Sequence, residues 1–283
     1  MITAAEADAA SALLVAHWQA GTVLPFLPET IRPADRADGY AIQARLEKPG
    51  EPVLWGWKIA ATSAAGQRHI GVDCPMAGRL LASMVHPGGA ELPLDDNRMR
   101  VAELEFAFRM GRDLPPRAVP YDQASVLDAV AALHTAIEIP DSRYGDFVTV
   151  GAPQLIADNA CAHRFVLGPE ASPAWRDFDL AAHPVVARLD RGIERTGIGA
   201  NVLGGPLIAL TWLANELSAH AITLRAGQVV TTGTCIVPLE IAPGDALTGD
   251  FGALGQVTIR FAAGHNGIVG SMAVSLDPAA TGK

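Results

Sequence analysis

Few segments restrict a fold as tightly as Val101-Ala102-Glu103-Leu104-Glu105-Phe106-Ala107-Phe108. Its alternation marks a strand, with apolar Leu104, Phe106 and Phe108 on one face and Glu103 and Glu105 on the other. Side chains two apart on a strand share a face, about 7 Å apart along it. Two carboxylates that close repel unless a proton or a cation lies between them. Glu138 sits in a second apolar run, Ala136-Ile137-Glu138-Ile139. Three acids aimed into one cavity fit a hard divalent ion such as Mg²⁺ or Mn²⁺. The plainer alternative makes Glu103 and Glu105 the wet face of an edge strand; their apolar flanks weigh against it.

The chain has 283 residues, room for one large domain or two ordinary ones. Apolar residues make up 49% and charged residues 18%, so a sizeable core is available and disorder is excluded as the general state. The net charge of −9, with no Lys/Arg cluster, argues against a nucleic-acid partner. An acidic protein that takes an anionic substrate needs a local positive charge, which a bound metal would supply. Cys74, Cys161 and Cys235 are far apart and form no disulfide framework, so a reducing cytoplasm is expected. Glu6 and Asp8 stand where a secretion leader would be basic. The longest apolar run, 202–214, is interrupted by glycine and proline and falls short of about 18 residues, so no membrane span is expected.

Along the chain, Thr3-x-x-Glu6 reads as a capping box, with Ala10, Leu13, Leu14, His17 and Trp18 on one helical face and Gly21 as the stop. A second helix is expected over 33–46, closed by Lys48-Pro49-Gly50. From Val53 the pattern turns strand-rich, beginning with Val53, Trp55, Trp57 and Ile59. Further strands are expected near 90–94, 99–109, 135–139, 163–167, 184–190, 228–232 and 256–261, and helices over 122–134 and 206–219, the latter with Pro206 at its first position. Strands outnumber helices without regular alternation, which favours an α+β fold. The expected division is an N-terminal helical segment, 1–52, and a strand-rich catalytic domain, 53–283, with residues 277–283 as a frayed tail.

Other positions invite chemistry, each beside a plainer reading. Lys58 lies in Trp55-Gly56-Trp57-Lys58-Ile59-Ala60; it is either a snorkelling edge lysine or a cationic donor and proton shuttle for a substrate oxyanion. Arg143, in Asp141-Ser142-Arg143, either closes a capped turn through a structural salt bridge or orients the acids or a substrate carboxylate. Asp158 and Asn159 are candidates for a polar cavity lining, while Cys161 beside them fits a small buried residue. Gly197-x-Gly199 lacks the third glycine of a dinucleotide loop and reads as a turn, and neither a zincin nor a serine-hydrolase motif is present.

Taken together, these segments resemble the fumarylacetoacetate hydrolase superfamily, in its 2-keto-4-pentenoate hydratase and 2-oxo-3-hexenedioate decarboxylase branch. The resemblance is carried by Gly56-Trp57-Lys58-Ile59-Ala60-Ala61-Thr62-Ser63, Gly71-Val72-Asp73-Cys74-Pro75, Val101-Ala102-Glu103-Leu104-Glu105, Glu138-Ile139-Pro140-Asp141-Ser142-Arg143, Ala157-Asp158-Asn159-Ala160 and Pro243-Gly244-Asp245, in family order across nearly the whole chain. It implies a mixed β-roll of the fumarylacetoacetase C-terminal type behind an N-terminal helical segment, in a homo-oligomer. It implies Mg²⁺ or Mn²⁺ on Glu103, Glu105 and Glu138, with Lys58 at the substrate, and Asp73 and Asp158 as candidates for positioning water. Arg143 and Cys161 would serve the substrate.

The implied activity is that of a hydro-lyase adding water to a 2-hydroxy-2,4-dienoate in aromatic-compound catabolism. The alternatives are 2-oxo-3-hexenedioate decarboxylation or carbon–carbon hydrolysis of an acylpyruvate. Asp158-Asn159 stands where the hydrolase branch tends to place a lysine, which favours the first two. The chain departs from the usual hydratase pattern at Met76, where an acid is typical, and at Cys161, where serine is usual.

Overall fold

A computed structural model describes residues 1–46, 54–94 and 97–263. Val53, the Lys48-Pro49-Gly50 breaker and the 277–283 tail lie outside the described residues.

Helix α1 (Ala4–Ala20) begins and ends where its caps dictate. Thr3 Oγ1 accepts from Glu6 N, Glu6 Oε2 accepts from Thr3 N, and Gly21 takes the left-handed conformation, φ 61°. Helix α2 (Arg36–Gln43) starts at the Asp35 cap and tightens into a 3₁₀ turn, Ala44–Leu46. Shorter helices follow: α3 (Ala64–His69), α4 (Gln123–Leu127) and α5 (Ala152–Ala157). The long α6 (Pro206–Ala219) opens on Pro206, whose missing N–H costs a first turn nothing.

The strands are β1 (Leu54–Ala60), β2 (Met76–Leu81), β3 (Val85–Pro87), β4 (Glu91–Leu92), β5 (Val101–Met110), β6 (Val130–Ile139), β7 (Arg164–Glu170), β8 (Pro184–Leu189), β9 (Glu194–Ile198), β10 (Val229–Thr231), β11 (Leu239–Glu240), β12 (Ala246–Asp250) and β13 (Gln256–Phe261). The larger sheet runs β2-β1-β10-β5-β6-β7-β3, with β11 also on β5; the smaller runs β4-β13-β12-β8-β9. Parallel and antiparallel pairs mix in the larger sheet: β1 lies parallel to β10, while β5 is antiparallel to both β10 and β6. This is the expected α+β architecture.

β5 is the hinge of the design. Its Leu104 and Phe106 are buried toward the smaller sheet, where Phe106 meets Phe251 edge-on at 5.3 Å, and Phe108 is buried beside Trp175. A Cβ at Gly249 of β12 would come within 2.7 Å of Leu104 Cδ2, so glycine there lets Leu104 pack between the sheets without shifting. The opposite face of β5 carries Glu103 and Glu105. One apolar core runs from Ala7 and Leu14 of α1 through Leu104 and Phe106 to Ile259 of β13. The N-terminal helices are tied to the sheet as well: Gln43 Nε2 donates to Ala77 O and Ile156 O at 2.8 and 3.1 Å.

One expectation fails. Residues 122–134 are not a single helix: α4 ends at Leu127 and β6 begins at Val130. Val130-Ala131-Ala132-Leu133 has the composition of a helix, yet Ala132 and Leu133 pair with Arg109 and Phe108. Ladder pairing overrides the weak local preference of alanine. Strands β2, β3, β9, β11 and β12 and helices α3 and α5 had no expected counterpart; β2 is buried on both faces and so shows no alternation.

Candidate active site

Antiparallel register places Glu103 directly opposite Glu138, with Glu105 two residues further along β5. One carboxylate oxygen from each of the three lies within 4.8 Å of the others. Glu105 is fully enclosed, Glu138 nearly so, and Glu103 opens toward the cavity. The wet-edge alternative is therefore excluded by position: β5 is an interior strand.

Each acid is held differently. Glu105 Oε2 accepts from the Gly233 amide at 2.7 Å and from the Thr231 hydroxyl. Gly233 has φ +101°, and a Cβ there would fall 2.1 Å from Thr62 Oγ1, so only glycine delivers that amide. Glu105 Oε1 and Glu138 Oε2 are buried without a hydrogen-bond partner. Glu138 Oε1 faces Lys58 Nζ at 2.9 Å. Burial and the facing Glu138 push Glu103 up to about 7, and the same causes, with Glu103 added, push Glu105 well above the usual carboxylate range.

Lys58 reaches this trio from β1. Burial alone would lower its basicity, but Glu138, Glu103 and Glu105 outweigh that and hold it above the usual lysine value, so it is an ammonium ion. Its stem runs over Gly78 of β2, where a Cβ would sit 2.8 Å from Lys58 Cγ and 2.6 Å from Asn159 O. Its head also donates to Ala160 O at 3.0 Å. That carbonyl belongs to a rare run of three non-glycine residues with positive φ, Asn159, Ala160 and Cys161. Asn159 pins the run by accepting from Arg79 N at 2.6 Å and donating to Arg79 O at 2.8 Å.

With all three carboxylates ionised, the one ammonium leaves a formal charge of −2. Oxygens on one divalent ion stand at most about 4–5 Å apart, given metal–oxygen distances of about 2.0–2.6 Å. The enclosed trio with its orphaned oxygens meets both the charge and the spacing. Above it opens a cavity of about 730 Å³. Lys58, Glu103, Ala160 and Cys161 line its deep end, and Ile70, Met76, Met99, Phe147, Ile236 and Val237 are among its apolar walls.

The remaining candidates sort by position. Cys161 lines the cavity, and burial, with Asp158 adding to it, pushes its thiol up to about 12, so it is neutral. Asp158 and Arg143 are not brought to the cavity. Arg143 Nε pairs with Asp158, whose Oδ2 also accepts from Ser142 Oγ at 2.6 Å and Arg143 N at 3.0 Å. The guanidinium lies over Trp18, 4.7 Å from the ring, and donates to Ala162 O. This is the structural salt bridge of the plainer reading, and it braces both ends of the left-handed run. Asp73 is exposed in the turn after α3, outside the cavity lining. Sequence reasoning missed Asn159 as a clamp, and Thr231, Gly233 and Gly78; the polar break Thr231-Thr232-Gly233-Thr234 after Val229-Val230 was the available signal.

Known proteins resemble this chain over most of its length. It is 34% identical over 258 residues to a 2-keto-4-pentenoate hydratase of Burkholderia vietnamiensis, covering 90% of this chain and 97% of that one. It is 30% identical over 229 residues to a 4-oxalocrotonate decarboxylase of Pseudomonas putida, covering 80% and 85%. The solved structure of 4-oxalocrotonate decarboxylase from Pseudomonas putida G7, complexed with magnesium and adipate, superposes with a TM-score of 0.84 at 26% identity, over 92% of this chain and 99% of that one. Residues 75–262 match the model of the fumarylacetoacetate hydrolase C-terminal domain. With its trio, its lysine and its two-sheet core in place, this chain belongs to the fumarylacetoacetate hydrolase family.

Proposed function

We propose that the chain is a divalent-metal-dependent hydro-lyase that adds water to a 2-hydroxy-2,4-dienoate to give a 4-hydroxy-2-oxo acid. The observation that carries this is the pairing of Lys58 with a buried carboxylate trio at the foot of an apolar cavity. Relatives named 2-keto-4-pentenoate hydratase, 31–34% identical over about 90% of the chain, support it.

Glu103, Glu105 and Glu138 would hold the ion, Mg²⁺ or Mn²⁺, which as a Lewis acid would take the substrate's carboxylate and C2 oxygen. Lys58, kept cationic by the trio, faces the C2 oxygen as it gains negative charge. The enol proton leaves that oxygen, C5 takes up a proton, and the 3-ene becomes conjugated to the C2 ketone. Water then adds its oxygen to C4 and a proton to C3. Ala160 O and Glu138 fix the ammonium in place, so it supplies charge without reorganising. The apolar walls exclude bulk water and strengthen each of these interactions.

Decarboxylation of 2-oxo-3-hexenedioate is the second reading, favoured by the decarboxylase relative of Pseudomonas putida and by the solved decarboxylase structure from Pseudomonas putida G7. A spectroscopic assay with 2-hydroxypenta-2,4-dienoate and 2-oxo-3-hexenedioate, with and without EDTA, separates them. Hydration consumes the first without releasing CO₂ and stops with EDTA. CO₂ release from the second at a higher rate would replace the proposal. We further propose a cytoplasmic homo-oligomer; three cysteines without disulfides fit the compartment, and no helix among the described residues is long and apolar enough to cross a membrane.

A further inference from the structure

We propose that this site selects substrates with one carboxylate and a long uncharged tail, six carbons or more in total, over both the bare five-carbon acid and any dicarboxylate. The inference rests on the hydratase reading and specifies the substrate for it.

Size is the first argument. The five-carbon 2-hydroxydienoate has eight non-hydrogen atoms. At no more than a water's share of about 30 Å³ each, they fill at most about 240 Å³. The cavity holds about 730 Å³. An acid anchored by its carboxylate and C2 oxygen at the trio leaves most of that space to whatever follows C5.

The chemistry of the walls is the second. Exposure rises from Lys58 at 3% and Ile236 at 4% to Val237 at 71%, so the cavity runs from the buried trio to a mouth at Val237. Ile70, Met76, Met99 and Phe147 line the space with them, and methionine adapts to tails of varied shape. Among the described residues lining the cavity, the basic side chains are Lys58 and His69. Lys58 is engaged by Glu138 and Ala160 O. His69 is exposed, its ring edge-on to Phe147 at 6.3 Å, and a carboxylate paired there stays hydrated and gains little. Thr62, Ser63, Asn201 and Thr234 add neutral polar atoms to the lining, and Asn201 and Thr234 already donate to Cys235 O and Ile236 O; a second carboxylate along the tail would shed its water there with no unengaged buried cation among the described lining residues to replace it. Each added methylene instead gains about three- to fourfold in affinity as its upper limit.

Calorimetric titration of the Mg²⁺-loaded full chain with 2-oxo acids that undergo no turnover reads this directly. The series is 2-oxobutanoate, 2-oxohexanoate, 2-oxooctanoate and the dicarboxylate 2-oxoadipate. The expected result is at least tenfold tighter binding of 2-oxooctanoate than of 2-oxobutanoate, and at least tenfold weaker binding of 2-oxoadipate than of 2-oxohexanoate. Val237→Lys, a change at an exposed position, should narrow the second ratio at least threefold. A flat chain-length series, a dicarboxylate that binds as well as its monocarboxylate, or an unchanged ratio in V237K overturns the proposal. Hydration of the five- and eight-carbon dienoates is followed in parallel. Chain-length selectivity in binding with no dienoate hydrated defeats the hydratase reading alone; normal hydration with flat binding defeats the tail selectivity alone.

Discussion

Replacing Glu105 with glutamine should raise the stability of the metal-free protein and abolish its response to metal. Three carboxylates are buried together around Lys58, and burial first, then the facing Glu138, lift Glu103 from 4.5 to about 7. Keeping the whole trio ionised at pH 8 therefore costs on the order of 1–3 kcal/mol. The folded trio binds protons that the unfolded chain has already released above about pH 4.5. Metal-free stability must then fall as pH rises from 4.5 through about 7.

Glutamine keeps an oxygen for the Gly233 amide and the Thr231 hydroxyl while removing one charge of the three. The relief is worth about 2–12 °C in Tm at pH 8, at roughly 2–4 °C per kcal/mol for a chain of this size. Metal stabilises the parent instead: at a hundred times its Kd it adds about 2.7 kcal/mol to the parent chain. In Glu105→Gln an amide replaces a charged ligand and that gain disappears. Differential scanning fluorimetry at pH 5.5 and 8, in EDTA or in MgCl₂, gives all the values needed. A Mg²⁺ shift in the variant equal to the parent's, or a lower Tm in EDTA at pH 8, would refute the reasoning.

Gly78→Ala should cut kcat at least tenfold and destabilise by about 1–3 kcal/mol, because the new methyl group displaces the Lys58 stem; steady-state kinetics with urea melts measure both. Lys58→Met should lower kcat by at least about a hundredfold while preserving the Mg²⁺-induced rise in Tm, since it takes charge from the reaction and leaves all three acids in place. Asp158→Ala should destabilise by about 3–5 kcal/mol in chemical denaturation, since it strands the buried Arg143 guanidinium. Near-parental stability there would mean that the pair is not the brace described.

What could be read from the residues was what periodicity and composition encode. Both ends of α1 followed from Thr3, Glu6 and Gly21, because caps are local chemistry. The trio was legible because carboxylates on the inner face of β5 and in β6 contradict their apolar surroundings. Strand β2, buried on both faces, has no period to detect, and residues 130–133 read as helix because their pairing with β5 is non-local. Asp158 and Arg143 were legible as unusual residues, but only the folded chain shows that they satisfy each other. Gly78 and Gly233 matter through side chains they lack, which becomes visible once Lys58 and Thr62 are placed beside them.

Diffraction data collected at the manganese absorption edge from crystals grown with Mn²⁺ test the account most directly. An anomalous peak within ligand distance of Glu103, Glu105 and Glu138, lost in Glu105→Gln, is the predicted result. Strong anomalous density elsewhere, with the three carboxylates sharing only protons and Lys58, would contradict it.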